Sequence, residues 1–173
     1  MHFPQRRRKT QPMTKAHGFQ KHDHAACITD ALTTAEAYCA ARKLQFTPVR
    51  RRTLEVLLAH HRSMGAYEVL SHLDASGFGA QPPVAYRALD FLVKHGFAHK
   101  VEAMNAYVAC SHPGAQHVPA FLICRQCSTV QETQIEPMQN GLGDAAHDAG
   151  FAIERAVVEA QGLCPLCQQS APE

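Results

Sequence analysis

The chain has 173 residues, 46% of them hydrophobic, enough for one sizeable domain or two small ones to bury a core. Its formal net charge is only +2 and it has no Trp, which argues against binding nucleic acid by bulk charge or on aromatic stacking platforms. No run reaches the ~18 apolar residues of a membrane span. No signal-like apolar stretch follows the basic cluster Arg6-Arg7-Arg8-Lys9 either, so the expected location is the cytoplasm, with no membrane partner.

Residues 1–28 mix Pro, Gln, Lys, Arg and His without apolar periodicity and read as a disordered, basic, His-containing lead. His22, His24 and Cys27 group there as a candidate for a weak additional metal site. Helical patterns begin at Thr29. "TDALTTAEAYCAARKL" is Ala-rich, with Thr29 or Asp30 available as N-cap. "FTPVRRRTLEVLLAHH" has Thr47 to cap, Pro48 for the first helical position, and Leu54, Leu57 and Leu58 on one face. "GAYEVLSHLDASG" spaces Tyr67, Leu70 and Leu73 three apart. "PPVAYRALDFLVKHG" predicts a buried stripe of Ala85, Ala88, Leu89 and Leu92, with Tyr86, Arg87, Asp90 and Lys94 off it and Gly96 at the C-cap.

The period then changes. "FAHKVEAMNAYVAC" reads as two short strands about a Met104-Asn105 turn. Helices followed by a hairpin is the order of a winged helix-turn-helix, in which the helix before the hairpin enters the major groove. On that helix Arg87 has two readings: an exposed residue paired with Asp90 at i, i+3, or a base reader, since a bidentate Arg on guanine is the commonest specific contact. Arg51, with Arg50 and Arg52, fits a basic face making phosphate contacts.

Beyond the Pro- and Gly-containing loop that follows, "FLIC" and "STVQETQI" read as strands flanking one CxxC. "EPMQNGLGDAAHDAG" reads as a helix, and "FAIERAVVEAQGLC" as a strand leading to a second CxxC. The fold class is α+β: a winged helix-turn-helix domain over 29–110, a hinge loop over 111–118 and a small α/β domain over 119–173.

Cys124, Cys127, Cys164 and Cys167 form two CxxC pairs separated by 36 residues. Disulfides conflict with a reducing compartment, although the chain has seven cysteines. Thioredoxin-like chemistry needs a CxxC at a helix N-terminus, and neither pair precedes a convincing helix. Two knuckles brought together by antiparallel pairing would give zinc four thiolates. Such a site is a structural staple and says little about function.

Four further residues flank the junction of the two halves: His99, Cys110, His117 and Glu132. Singly, each has a plain reading as a strand, core or loop residue. Together they make a mixed N, S, O set of the kind zinc accepts, weaker than four thiolates and therefore suited to sensing.

In order, "FTPVRRRTLEVL", "PPVAYRALDFLVKHGFAHKVEAMNAYVAC", "FLICRQCSTVQE" and "GFAIERAVVEAQGLCPLC" resemble the ferric uptake regulator superfamily, closest to its zinc uptake regulator branch, over roughly residues 29–168. The resemblance implies a homodimer on an AT-rich palindromic double-stranded DNA operator. It implies about two Zn2+ per chain: a structural ion on Cys124, Cys127, Cys164 and Cys167, and a regulatory ion on His99, Cys110, His117 and Glu132. It also implies DNA contacts by Tyr67 and Arg87. The family's "PTVYRAL" is "PPVAYRAL" here, which drops a Thr and keeps Tyr86 and Arg87. The closely spaced histidines of the iron-sensing branch are replaced by "SHPGAQHVPAFLIC", which favours zinc over iron.

The expected function is a zinc-responsive repressor of zinc homeostasis genes. An iron- or peroxide-responsive regulator is the alternative, disfavoured by a Cys110 ligand. A zinc hydrolase is disfavoured because catalytic zinc keeps an open position and because no HExxH, GxSxG or P-loop pattern occurs, so no enzymatic activity is expected.

Overall fold

The computed structural model describes residues 24–59, 62–113, 118–135, 141–154 and 156–169. Helix α1 (His24–Ala41) begins several residues before Thr29, inside the segment read as a lead. Thr29 and Asp30 are therefore interior and not caps, and their carbonyls accept the hydroxyls of Thr33 and Thr34. Helix α2 (Pro48–Ala59) starts at Pro48 as expected, where the missing N–H costs nothing. Thr47 does not cap it: its hydroxyl is buried with no hydrogen-bond partner among the described residues.

Helix α3 (Ala66–Ala75) buries Ala66, Val69, Leu70 and Leu73. Tyr67 is not on that stripe and is 68% exposed. Helix α4 (Pro82–Lys94) buries the predicted Ala85, Ala88, Leu89 and Leu92, together with Phe91. It stops in a Schellman motif: Phe97 N–H donates to Leu92 O at 2.8 Å and Gly96 N–H to Val93 O at 3.2 Å. Gly96 has φ +72°, a conformation that a side chain would strain. The turn delivers Phe97 into the core formed by the four helices.

Strands β1 (Ala98–Val101) and β2 (Ala106–Ala109) make the expected antiparallel hairpin. A short 3-10 turn (Glu102–Met104) and Asn105, at φ +45°, close it. The connector between α2 and α3 lies along this hairpin. Met64 and Tyr107 exchange two backbone hydrogen bonds, of 2.9 and 2.8 Å, and Arg62 bridges Thr129 on its other side.

The second sheet has the order β4-β3-β5, from β3 (Val118–Cys124), β4 (Val130–Ile135) and β5 (Val158–Gly162). Helix α5 (Leu142–Asp148) lies on the crossover, and α6 (Pro165–Gln169) follows β5. The β3–β4 pair is antiparallel, but β3 and β5 are parallel, with Cys124 opposite Gly162. This corrects the expected antiparallel pairing of the knuckle strands. Both strands run into a CxxC at their C-terminal end, and only parallel pairing sets those ends side by side. Val101 and Val108 of the hairpin pack with Phe121, Ile123 and Val130 of this sheet in one buried cluster. Among the described residues, no helix is long and apolar enough to cross a membrane.

Leu89 is fully buried where α4 meets the other helices. Leu89→Ala should lower unfolding stability by about 2–5 kcal/mol, read from denaturant melts of the helical signal, with metal content unchanged.

Candidate metal centres

Cys124 ends β3, and a three-residue turn carries the chain to Cys127. Cys164 follows β5, and Cys167 sits on α6. The second CxxC therefore does stand at the start of a helix, contrary to expectation, though α6 has only five residues. Ligand atoms of the four cysteines all lie within 4.8 Å of one another. Cys127 Sγ and Cys164 Sγ are 3.7 Å apart. Four sulfurs about 2.3 Å from one ion would have edges of about 3.8 Å, so this donor set fits tetrahedral zinc. None of the described cysteines is disulfide-bonded.

The knuckles are tied together by the backbone. Arg125 N–H donates to Gly162 O at 2.9 Å, and Cys164 N–H points at Cys124 Sγ, 3.3 Å away. Backbone N–H groups of Cys127 and Cys164 pull the Cys124 thiol down to about 6. The Thr129 hydroxyl, 3.2 Å from Cys127 Sγ, lowers that thiol too. Cys167 is pushed up to about 12, first by the Cys164 thiol and then by burial. The cluster thus favours thiolate at Cys124 before any cation arrives. Thr129 was not singled out in the sequence, because only the fold brings its hydroxyl to the sulfur.

A second cluster lies where the hairpin meets the sheet. His99 stands on β1, Cys110 directly follows β2, and Glu132 stands on β4. Their ligand atoms also lie within 4.8 Å of one another. His99 Nε2 is 3.2 Å from Glu132 Oε1, and Cys110 Sγ is 4.0 Å from the same oxygen. Bonds of about 2.0–2.2 Å from zinc to nitrogen and oxygen are compatible with that N···O separation. His117, the fourth predicted ligand, lies outside the described residues.

Glu132 is only 7% exposed, an unusual position for a carboxylate without a cation. Its Oε2 accepts the Ser111 backbone N–H at 2.7 Å, which fixes the orientation of the carboxylate. His112 donates its backbone N–H to Cys110 Sγ at 3.3 Å. Neither supporting contact carries a motif that the sequence could have revealed. Burial, then the charge of Glu132, pushes the Cys110 thiol well above its ordinary range. A divalent cation reverses that preference, since a bound thiol ligates as thiolate. His22 also lies outside the described residues, and the structure gives no side-chain account of His24 or Cys27.

The predicted DNA-facing residues take different places. Tyr86 is 41% exposed on α4, and Tyr67 is exposed on α3. Arg87 is exposed and donates Nε–H to Pro83 O at 3.0 Å instead of pairing with Asp90. It borders an open cleft shared with Lys43, Arg50, Asp90 and Lys94. Arg51 is held within the chain by Glu36, at 2.9 Å, and by Glu55. A phosphate contact by Arg51 would compete with those two carboxylates.

No protein-family model matches the chain. It is 38% identical over 139 residues to the Zinc uptake regulation protein of Escherichia coli (strain K12), covering 80% of this chain and 81% of that one. Among solved structures, it is similar to a zinc uptake regulator complexed with zinc and DNA, with 38% identity and a TM-score of 0.77 over 83% of this chain and 96% of that one. It is also similar to holo XcZur, with 37% identity and a TM-score of 0.71 over 81% of this chain and 98% of that one. On this identity and coverage, the chain belongs to the zinc uptake regulation protein family, the zinc branch of the ferric uptake regulator superfamily.

Proposed function

We propose that this chain is a zinc-responsive transcriptional repressor that binds double-stranded DNA and controls zinc homeostasis genes. The observation that carries the reading is the cluster of half-buried His99 with buried Cys110 and Glu132, set between the wing hairpin and the C-terminal sheet. We divide the chain into a DNA-binding unit over 29–110, a hinge over 111–118 and a dimerisation unit over 119–173. It acts as a cytoplasmic homodimer on an AT-rich palindromic operator, and it is a regulator and not an enzyme. About two zinc ions bind per chain, one on the four cysteines and one at the hinge, where His117 completes the ligand set.

Bound zinc supplies a cationic crosslink at each site. The chain's own residues do the rest. His99 and Cys110 belong to the wing and Glu132 to the sheet, so drawing them together fixes the angle between the reading unit and the dimerisation unit. A ligand shifts such an equilibrium only by its differential affinity for the two arrangements. Arg87, with Tyr67 and Tyr86, then faces the DNA. Cys110 favours zinc over the iron of an iron- or peroxide-responsive regulator, because soft sulfur suits zinc.

Cys124→Ser should unfold or monomerise the C-terminal half, because metal binding and folding are linked at a closed thiolate site. Sedimentation and zinc content would report this, and a zinc-replete dimer would contradict it. Arg87→Ala should reduce discrimination between operator and random duplex by about 1–3 kcal/mol, with zinc content intact. Equal loss on both duplexes would make Arg87 a phosphate contact. Cys110→Ser should keep the four-cysteine zinc and bind operator about 5- to 150-fold more weakly at zinc levels that saturate the unmodified protein. If operator binding of the two proteins follows the same curve at every buffered free zinc level, the hinge is not the sensor.

A further inference from the structure

One row across the C-terminal sheet reads Glu132 on β4, Phe121 on β3 and Glu159 on β5. Residues paired across neighbouring strands project from the same face. Here that face meets the wing. Glu132 contacts His99, and the His99 ring centroid lies 5.7 Å from that of Phe121. At the other end of the row, Glu159 reaches the wing tip. Its Oε1 accepts the Glu102 backbone N–H at 2.7 Å, and its Oε2 accepts the Ala103 backbone N–H at 2.9 Å.

Glu102 and Ala103 open the 3-10 turn of the hairpin. The first N–H groups of such a turn have no partner within it. Glu159 therefore caps the turn from 57 residues away along the chain. Hydrogen bonds to an ionised acceptor are roughly twice as strong as neutral ones, and using both oxygens also fixes direction. The strand that carries Glu159 is itself pinned, by pairing with β3 and by the Cys164 knuckle that follows it.

Besides the apolar packing of Val101 and Val108 on the sheet, the wing makes polar contact with it at two places. The base presents His99 and Cys110 to Glu132, and the tip rests on Glu159. A single attachment leaves a body free to pivot, whereas two fix its direction. We propose that Glu159 is a positioning residue for zinc sensing: it seats the wing tip on the sheet without metal, so that His99 and Cys110 already face Glu132 when zinc arrives. This rests on the regulatory reading of His99, Cys110 and Glu132. Apparent affinity falls with the fraction of molecules in the binding-competent arrangement. Releasing the tip therefore raises the zinc needed to fill the hinge, although Glu159 is not itself a ligand.

The test uses the full chain with Glu159→Gln, which keeps the size but removes the charge and one acceptor, and with Glu159→Ala. Hydrogen exchange at the Glu102 and Ala103 amides is measured with only the four-cysteine zinc bound. Free zinc is then titrated against hinge occupancy and, separately, against operator binding. Exchange at both amides should quicken about tenfold, and both zinc midpoints should rise about 3- to 10-fold, more for Ala than for Gln. The melt of the helical half and the four-cysteine zinc content should stay unchanged. Faster exchange with unmoved midpoints would reduce Glu159 to a structural contact and overturn the proposal. Equal exchange in all three proteins would show that the tip is not seated by Glu159, and would overturn it too. If operator binding ignores zinc even in the unmodified protein while the hinge midpoint still moves with Glu159, the regulatory reading fails and the positioning role stands.

Discussion

Parallel pairing of β3 with β5 is the constraint on which the C-terminal half depends. It places Cys124 beside Gly162, so two knuckles far apart in sequence emerge at the same edge. A parallel pair needs a crossover, and the segment carrying α5 provides it. The same register aligns Glu132, Phe121 and Glu159 in one row facing the wing. A one-residue slip of β5 would turn Glu159 to the other face and separate the knuckles.

Cys124 and Cys110, one from each cluster, sit in opposite surroundings. At the knuckles, backbone N–H groups stabilise negative sulfur, so Cys124 loses its proton easily. At the hinge, burial and the neighbouring Glu132 hold the proton on Cys110. Under the proposed function, a cation held by His99, Cys110 and Glu132 would displace the Cys110 proton, whereas one held by the four cysteines would find Cys124 already inclined to ligate.

The locally determined parts of this molecule were legible in its sequence. Apolar periodicity marked the buried stripe of α4, Gly96 marked its end, and Asn105 marked the hairpin turn. The CxxC pairs were legible because short spacing is itself the signal. Contacts made only by tertiary structure were not. The direction of the β3–β5 pairing depends on the crossover, and the caps expected of Asp30 and Thr47 gave way to an earlier helix start and a buried hydroxyl. Tyr67 falls at helical spacing with Leu70 and Leu73, yet its neighbour Ala66 takes the buried place. Three of the four residues predicted to share a metal, His99, Cys110 and Glu132, lie together, and the backbone N–H groups of Ser111 and His112 that contact Glu132 and Cys110 belong to no side-chain pattern.

The bridge between Arg62 and Thr129 has one more consequence. Thr129 lies two residues beyond Cys127 and shares its carbonyl with the Cys124 N–H. Arg62 lies on the connector that leads into α3 and Tyr67. The knuckle and the approach to α3 are thus consecutive stitches of one seam. Under the proposed function, emptying the hinge would loosen an angle and leave that seam closed, whereas stripping the knuckle would remove the anchor of the seam and of the stretch that leads into α3. Zinc starvation and harsh chelation would then be different events: the first a signal the protein can reverse, the second the loss of the part that receives it.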